Sequence, residues 1–228
     1  MKNRNKLFLG FLFYSITLFS QSSTITVVYK QGMQNFKRTK SYEVKILKDL
    51  EYKLVGNNVR SEFKWIKKMN SDAGIANKKY AFKSVDYEDR VKKEKLSALN
   101  LFGSDYIVKR PYNKYKWKLT KTIKIIGGYT CYKALVTVKE ARMTYDVIAW
   151  FAPDIPFSYG PRGYSGLPGL VLEVNWNGHF LIAKNIIIKK NSKIKIKRPS
   201  FGIEITENEI NAYVEKMIKK YTGKKKKL

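Results

Sequence analysis

The stretch Trp150-Phe-Ala-Pro-Asp-Ile-Pro-Phe-Ser-Tyr-Gly-Pro-Arg-Gly-Tyr-Ser-Gly-Leu-Pro-Gly-Leu-Val-Leu-Glu-Val174 cannot be a helix. It holds Pro153, Pro156, Pro161 and Pro168, four of the chain's six prolines, together with Gly160, Gly163, Gly166 and Gly169. Proline removes backbone donors and glycine frees the backbone, so a helical ladder cannot run through it. Both ends are apolar and strand-like. The spacing therefore predicts a long shaped loop, 150–170, slung between two strands of one sheet. Pro168-Gly169 suits positions i+1 and i+2 of a type II turn.

Outward from the loop, strand signals dominate. Asn177-Gly178 is the strongest hairpin signal in the chain. It pairs Trp176 with His179, Val174 with Leu181 and Glu173 with Ile182, and it leaves both faces partly apolar, as a central hairpin requires. Upstream, Thr144 to Phe151 is a strand. Gly127-Gly128 makes a second hairpin. Its pairs Ile123/Tyr132, Ile125/Thr130, Lys121/Ala134, Leu119/Val136 and Trp117/Val138 form a core face, with Lys124/Cys131 on the other. Asn57-Asn58 predicts a third hairpin, pairing Tyr52 with Phe63 and Leu50 with Trp65, and Lys53 with Glu62 on the opposite face. Ser23 to Tyr29 is a β-branched first strand. Gln31 to Ser41 is a polar connection and Asp105 to Lys109 a short strand. Ile194 to Lys197 is a lysine-rich edge strand. Asn70 to Gly74 is turn-like, Tyr80 to Tyr87 has strand character, and Asp89 to Leu99 carries helix formers. The span 67–103 as a whole predicts a variable excursion. One helix is clear. Thr206-Glu-Asn-Glu209 is a capping box, and Ile210, Tyr213, Val214, Met217, Ile218 and Tyr221 recur at helical spacing. The expected fold is mainly β: a curved antiparallel sheet or open barrel with one C-terminal helix packed on it.

Gly166-Leu-Pro-Gly-Leu-Val171, with Val171 in place of isoleucine, resembles the signature of the GLPGLI family, exported proteins found mainly in Bacteroidetes. Ala149-Trp-Phe, Ile155-Pro156 and Gly160-Pro161 fit the same pattern. Lys118 to Ala134, with Gly128-Tyr129, Cys131 and Lys133-Ala134, is also similar. Residues 67–103 add nothing to the match. The resemblance implies an envelope or secreted protein and brings no biochemical activity with it.

The N-terminus carries an address. Lys2, Arg4 and Lys6 precede an apolar run from Leu7 to Phe19, the length of a signal peptide and too short to span a bilayer. Residues 1–20 are expected to be the signal peptide, with 21–222 a single β-rich domain and 223–228 a basic tail. The run lacks cysteine, which excludes a lipidated terminus, and no later stretch reads as a transmembrane segment. The chain is expected to be periplasmic or extracellular. Cys131 is the only cysteine, so stability rests on packing and not on an internal disulfide. The formal net charge is +28. Such a charge attracts anionic membrane surfaces. Only eight of the 46 basic residues are arginine, and the lysines are dispersed along the chain. That pattern argues against nucleic acid as a partner.

Chemistry has few candidates. One His and one Cys make no spaced metal cluster. No cofactor or metal is expected, although Asp154, Glu173 and His179 belong to one region. A Cys131–His179 dyad is the sharpest catalytic idea, with Lys124 favouring the thiolate. Ser165 in Gly163-Tyr-Ser-Gly166 is not a nucleophile elbow. No catalytic residue is assigned. Binding fits better: Trp150, Phe157, Tyr159, Arg162, Tyr164 and His179 are the candidate contacts for an unknown ligand or envelope protein. Pro156, Gly160, Pro161, Gly166, Pro168 and Gly169 are candidate structural positions. The opposing view is that the rings merely plug the sheet. A hydrolase assembled from the same region and an outer-membrane assembly factor are the alternatives.

Overall fold

The computed structural model describes residues 22–33, 50–66, 83–140 and 143–223, with side chains to residue 220. The signal segment, the Asn70–Gly74 turn, most of the Gln31–Ser41 connection, Tyr221 and the basic tail lie outside the described residues or side chains. The strands are β1 (Ser23–Met33), β2 (Glu51–Asn57), β3 (Arg60–Trp65), β4 (Val85–Asp89), β5 (Glu94–Leu101), β6 (Ser104–Arg110), β7 (Lys118–Ile126), β8 (Tyr129–Glu140), β9 (Met143–Ala152), β10 (Leu170–Trp176), β11 (His179–Lys190) and β12 (Ile203–Thr206), followed by helix α1 (Glu207–Gly223). They form one twelve-stranded sheet in the order β12-β6-β5-β4-β3-β2-β1-β11-β10-β9-β8-β7. All pairings are antiparallel except β12 on β6. Twist accumulated over so many strands curves the sheet. The first of the described strands, β1, sits at its middle, between β2 and β11.

The hairpins test the predicted registers. β10–β11 pairs as expected, with Trp176 opposite His179 and Glu173 opposite Ile182. Asn177 (φ 43°) and Gly178 (φ 80°) supply the two positive φ values that such a turn needs. β10 is buried on both faces, Asn175 alone being half-exposed. β7–β8 pairs as expected from Ile126/Tyr129 to Ile123/Tyr132, then shifts so that Leu119 meets Ala134. Thr120 causes the break locally: its hydroxyl donates to the Lys133 carbonyl and accepts from the Thr122 amide. The expected core face is only half right. Ala134 and Val138 are buried, while Leu119, Ile123 and Ile125 are exposed, because β7 is the outermost strand. The β2–β3 register differs from expectation by two residues: Tyr52 opposes Trp65, and Leu54 opposes Phe63. The Asn57 side chain accepts from the Val59 and Arg60 amides, which keeps Asn57 in the strand and moves the turn to Asn58-Val59. The side chains keep their faces, and Tyr52 still stacks on Phe63, with ring centroids 5.4 Å apart.

Two further expectations are corrected. The stretch 85–101 is a regular β4–β5 hairpin and not an excursion, turned by Asp89, whose carboxylate accepts from the Val91 and Lys92 amides. Ile194–Lys197 is not a strand. It belongs to an extended connection whose Ile196 packs into Tyr87, Leu96 and Ile107 and whose Arg198 grips Glu94. The capping box forms as predicted: the Thr206 amide donates to Glu209, and the Glu209 amide to the Thr206 hydroxyl. Helix α1 packs on the sheet through Ile210 against Tyr106 and Val108.

The loop 153–169 crosses the concave face. Ile155, Phe157, Tyr159, Tyr164 and Leu167 are buried in one cluster with Ile25, Val27, Tyr29, Leu54 and Phe63 of the opposite half of the sheet. Each such side chain contributes roughly 1.5–3 kcal/mol on burial. Backbone bonds fix the path: Val171 donates to Tyr159, Gly166 to Ser158, and Leu170 to Ile155. The Pro168-Gly169 bend is a three-residue turn and not type II, since the Gly169 amide donates to Leu167 and Gly169 lies at φ 146°.

Gly166 and Gly169 both hold positive φ, but a Cβ at Gly166 would meet open space, whereas one at Gly169 would lie 2.2 Å from the Ala152 carbonyl oxygen. Gly166→Ala is expected to cost about 1–2 kcal/mol from the backbone alone. Gly169→Ala should lose about 1–3 kcal/mol more through overpacking. Urea denaturation of the two variants measures the difference, and equal losses would mean that the approach of Gly169 to Ala152 does not close the loop.

Candidate functional site

The loop divides the predicted contact residues into three groups. Phe157 and Tyr159 stack at 6.4 Å inside the core, and the Tyr159 hydroxyl donates to the Asn57 carbonyl. Trp150 is half-exposed on the other face of the β9–β10 ladder, with the Lys124 ammonium 4.3 Å from its ring centroid. Arg162, Tyr164 and His179 converge. They meet around Trp176, a residue that the sequence did not single out. The Arg162 guanidinium lies 5.0 Å from the Trp176 ring centroid, His179 stacks at 5.8 Å and Tyr164 sits at 6.2 Å. Trp176 and His179 owe their contact to the Asn177-Gly178 turn, which sets them opposite each other. Arg162 owes its position to a single turn, Pro161–Gly163, in which it holds φ 55° and ψ 31°.

Beneath the same turn lies a charged cluster from β4, β5 and β6. Ser165 donates to Glu88 at 2.6 Å, and the Lys95 ammonium is 3.9 Å from that carboxylate. Ser97 donates to Asp86 and accepts from Arg110. Arg110 and Lys114 both reach Glu207 at the start of α1. The Trp117 indole donates to the Ser165 carbonyl and ties the loop to the approach of β7. Burial pushes the Glu88 pKa up and the Lys95 pKa down, each toward its neutral form. Two small cavities flank Arg162. One, about 20 Å³, touches Glu88, Lys95 and Ser97; the other, about 40 Å³, touches Ser84, Glu140, Tyr145 and Tyr164. Both have the size of one or two water molecules. The cluster acts as a strut in which each carboxylate meets a cation or a donor.

The Cys131–His179 pair does not assemble. His179 is level with Trp176, Val147 and Val136 across the ladders, and Cys131 lies five residues further along β8. At about 3.3 Å per residue this is roughly 16 Å along the strand alone. Lys124 does oppose Cys131, but its ammonium is bound to Glu173 at 2.7 Å. Burial pushes the thiol pKa up to about 11, against the lowering that the sequence suggested. Glu173 and His179 point to opposite faces of their hairpin, and among the described residues no group of three or more His, Cys, Asp or Glu could hold a metal ion. No helix among them is long and apolar enough to cross a membrane.

Comparison with known proteins adds fold, not chemistry. Residues 137–173, which span β9 and the loop, match a family model described as "Protein of unknown function (Porph_ging)", a Bacteroidetes-associated domain. No curated protein matches the chain. Two crystal structures of PNGF-II share the fold. The one in space group C2 is 21% identical with a TM-score of 0.52, covering 76% of this chain and 28% of that one. The one in P21 is 22% identical with a TM-score of 0.51, covering 81% and 31%. The chain thus spans under a third of the length of PNGF-II.

Two outcomes follow from the cluster and from the contact of Arg162, Trp176 and His179. Glu88→Ala strands Lys95 as a buried charge and is expected to cost about 3–5 kcal/mol, while Ser165→Ala costs about 1 kcal/mol. Equal losses by chemical denaturation would refute the strut. The His179 pKa is lowered, first by burial and then by Arg162. The unfolded chain therefore takes up this proton first, so the stability at stake is complete above about pH 6.5 and is lost as pH falls through that value. His179→Gln should shrink the fall in Tm between about pH 7.5 and pH 5.5.

Proposed function

We propose that this chain is an exported, non-enzymatic protein of the cell envelope, of the GLPGLI kind. On this reading it recognises an anionic group of a ligand or protein partner at the ledge formed by Arg162, Trp176 and His179. The observation that carries the reading is the contact of Arg162 with Trp176, 5.0 Å from guanidinium to ring centroid, which the backbone of the turn fixes. A non-glycine residue at positive φ costs on the order of 1–2 kcal/mol. Strain of this kind concentrates at binding and switch sites. Here it holds a half-exposed guanidinium over an indole, at the lip of a rigid loop. Arginine and aromatic rings carry most of the energy at protein interfaces. Phe157, Tyr159 and Tyr164 support the ledge from inside, and Trp150 lies outside it.

Export rests on the Lys2 to Phe19 segment, and the net charge of +28 supports contact with anionic envelope surfaces. The cavities beneath the loop are water-sized, so on this reading recognition takes place at the surface of the ledge and not in a pocket. One observation favours a hydrolase, the Ser165–Glu88 contact, but a substrate could reach it only if the loop left the sheet. An assembly factor at the outer membrane would use the same ledge.

The test is native mass spectrometry of the full chain purified from its own envelope, as parent and as Arg162→Gly. Glycine relieves the strain and removes the cation. The expected result is a ligand or partner carried by the parent and lost in Arg162→Gly, whose Tm is equal or higher. Retention by the variant would refute the ledge. An activity abolished by Ser165→Ala would install the hydrolase.

A further inference from the structure

The two edges of the sheet differ. β12 has four residues, and its Glu204 is held by Lys109 and Arg198. β7 has nine residues and, among the described residues, pairs only with β8. A strand at an edge offers unpaired amides and carbonyls along its free side. On one face of β7, Ile123 and Ile125 are 57% and 65% exposed, and Leu119 is 53% exposed. Tyr132, directly opposite Ile123, continues this apolar strip inward to Phe151, with ring centroids 6.1 Å apart.

A defended edge has charge and a bulge, and β7 has both. Lys118 and Lys121 are exposed along it, with Lys116 just before it, and the register breaks between Leu119 and Ile123. Defence alone does not account for neighbouring isoleucines left in water. The two features agree if the edge is selective. A second copy laid antiparallel would set lysine against lysine, which destabilises a cross-strand pair. A strand that brings carboxylates would meet those lysines favourably and cover the isoleucines.

We infer that β7 takes up an extended segment of another protein, with alternating acidic and apolar residues, as an additional strand on the sheet. Main-chain bonds to the free edge would supply affinity. The apolar residues would cover Ile123 and Ile125, and the acidic ones, on the opposite face, would meet Lys118. This surface is separate from the Arg162 ledge, so either can fail without the other.

The probe is a nine-residue peptide of alternating valine and glutamate, titrated into the full chain at about pH 7.4 by fluorescence anisotropy; its length matches β7. Binding is expected, weakening at least tenfold between about 50 and 300 mM salt. The Ile123→Lys/Ile125→Lys variant should lose it by at least as much, while Arg162→Ala leaves it unchanged. A valine–lysine peptide should not bind. Hydrogen exchange supplies a readout without mutation: β7 amides should gain protection with the peptide, and β12 amides should not. Equal binding of both peptides overturns the inference, as does unaltered β7 exchange. A dimer in sedimentation that the double variant dissociates overturns it in favour of self-pairing. Binding to phosphatidylglycerol vesicles, lost in the double variant with no peptide binding, overturns it in favour of a membrane contact.

Discussion

The fold depends on the packing of one loop against the half of the sheet it does not belong to. A twelve-stranded open sheet has a long concave face, and helix α1 covers only part of it, near β6. The loop leaves β9, crosses to β3 and β4, and returns to β10. On the way it buries Ile155, Phe157, Tyr159 and Leu167 against Ile25, Leu54 and Phe63. The contact is close: the Tyr159 ring rests on Gly56, where a Cβ would come within 3.1 Å of it. Prolines and glycines in this loop reduce the entropy of the unfolded segment or permit backbone approaches that a side chain would block. A flexible linker of equal length would have to repay the ordering of its residues from the same apolar contacts.

The far end of the loop is anchored by charge. Ser165, Glu88, Lys95 and the Asp86–Ser97–Arg110 chain occupy a stretch of concave face that would otherwise be apolar. A buried ion pair is weak evidence for stability, because desolvation offsets most of the attraction. What it supplies is position. Ser165 reaches Glu88 only if the preceding turn is closed, and that turn holds Arg162 over Trp176. Core packing sets the depth of the loop, and the polar contacts set where its tip rests. The proposed ledge inherits its rigidity from both.

The sequence revealed what local chemistry controls. Asn177-Gly178 fixed its hairpin to the residue, because both positions take positive φ and either neighbouring register would misplace Trp176 and His179. Gly127-Gly128 fixed its turn equally well. The prediction then failed four residues along β7, where a threonine hydroxyl competes for the ladder. Asn57 illustrates the same competition: its side chain caps the turn and moves it by one residue. The β4–β5 hairpin was hidden because its concave face is Asp86, Glu88, Lys95 and Ser97, so the alternation reads polar on the side that is buried. Those are the residues of the strut, and only folding sets Ser165 and Arg110 beside them. Trp176 was missed for a different reason. Its position was derived correctly, but its neighbours Arg162 and Tyr164 come from a loop whose path no periodicity describes.

The place of β1 explains why such a loop is needed. β1 pairs with β2, close in sequence, and with β11, about 160 residues later. The ladder at the centre of the sheet therefore joins two halves that are each built mostly from neighbouring hairpins. Closing so long a connection costs entropy before the pairing offsets it, and topologies of this kind fold slowly. The β1–β11 ladder runs from Ser23 to Met33, yet backbone pairing alone leaves the two halves free to flex about it. The loop removes that freedom by packing residues of the β9–β10 half onto Leu54 and Phe63 of the other. Tyr29 works at the seam itself: from the central strand, its buried hydroxyl donates to the Val171 carbonyl at 2.6 Å, where the loop re-enters the sheet. A buried hydroxyl with one well-placed acceptor fixes direction as well as distance. The centre of the sheet and the end of the loop thus hold each other in register.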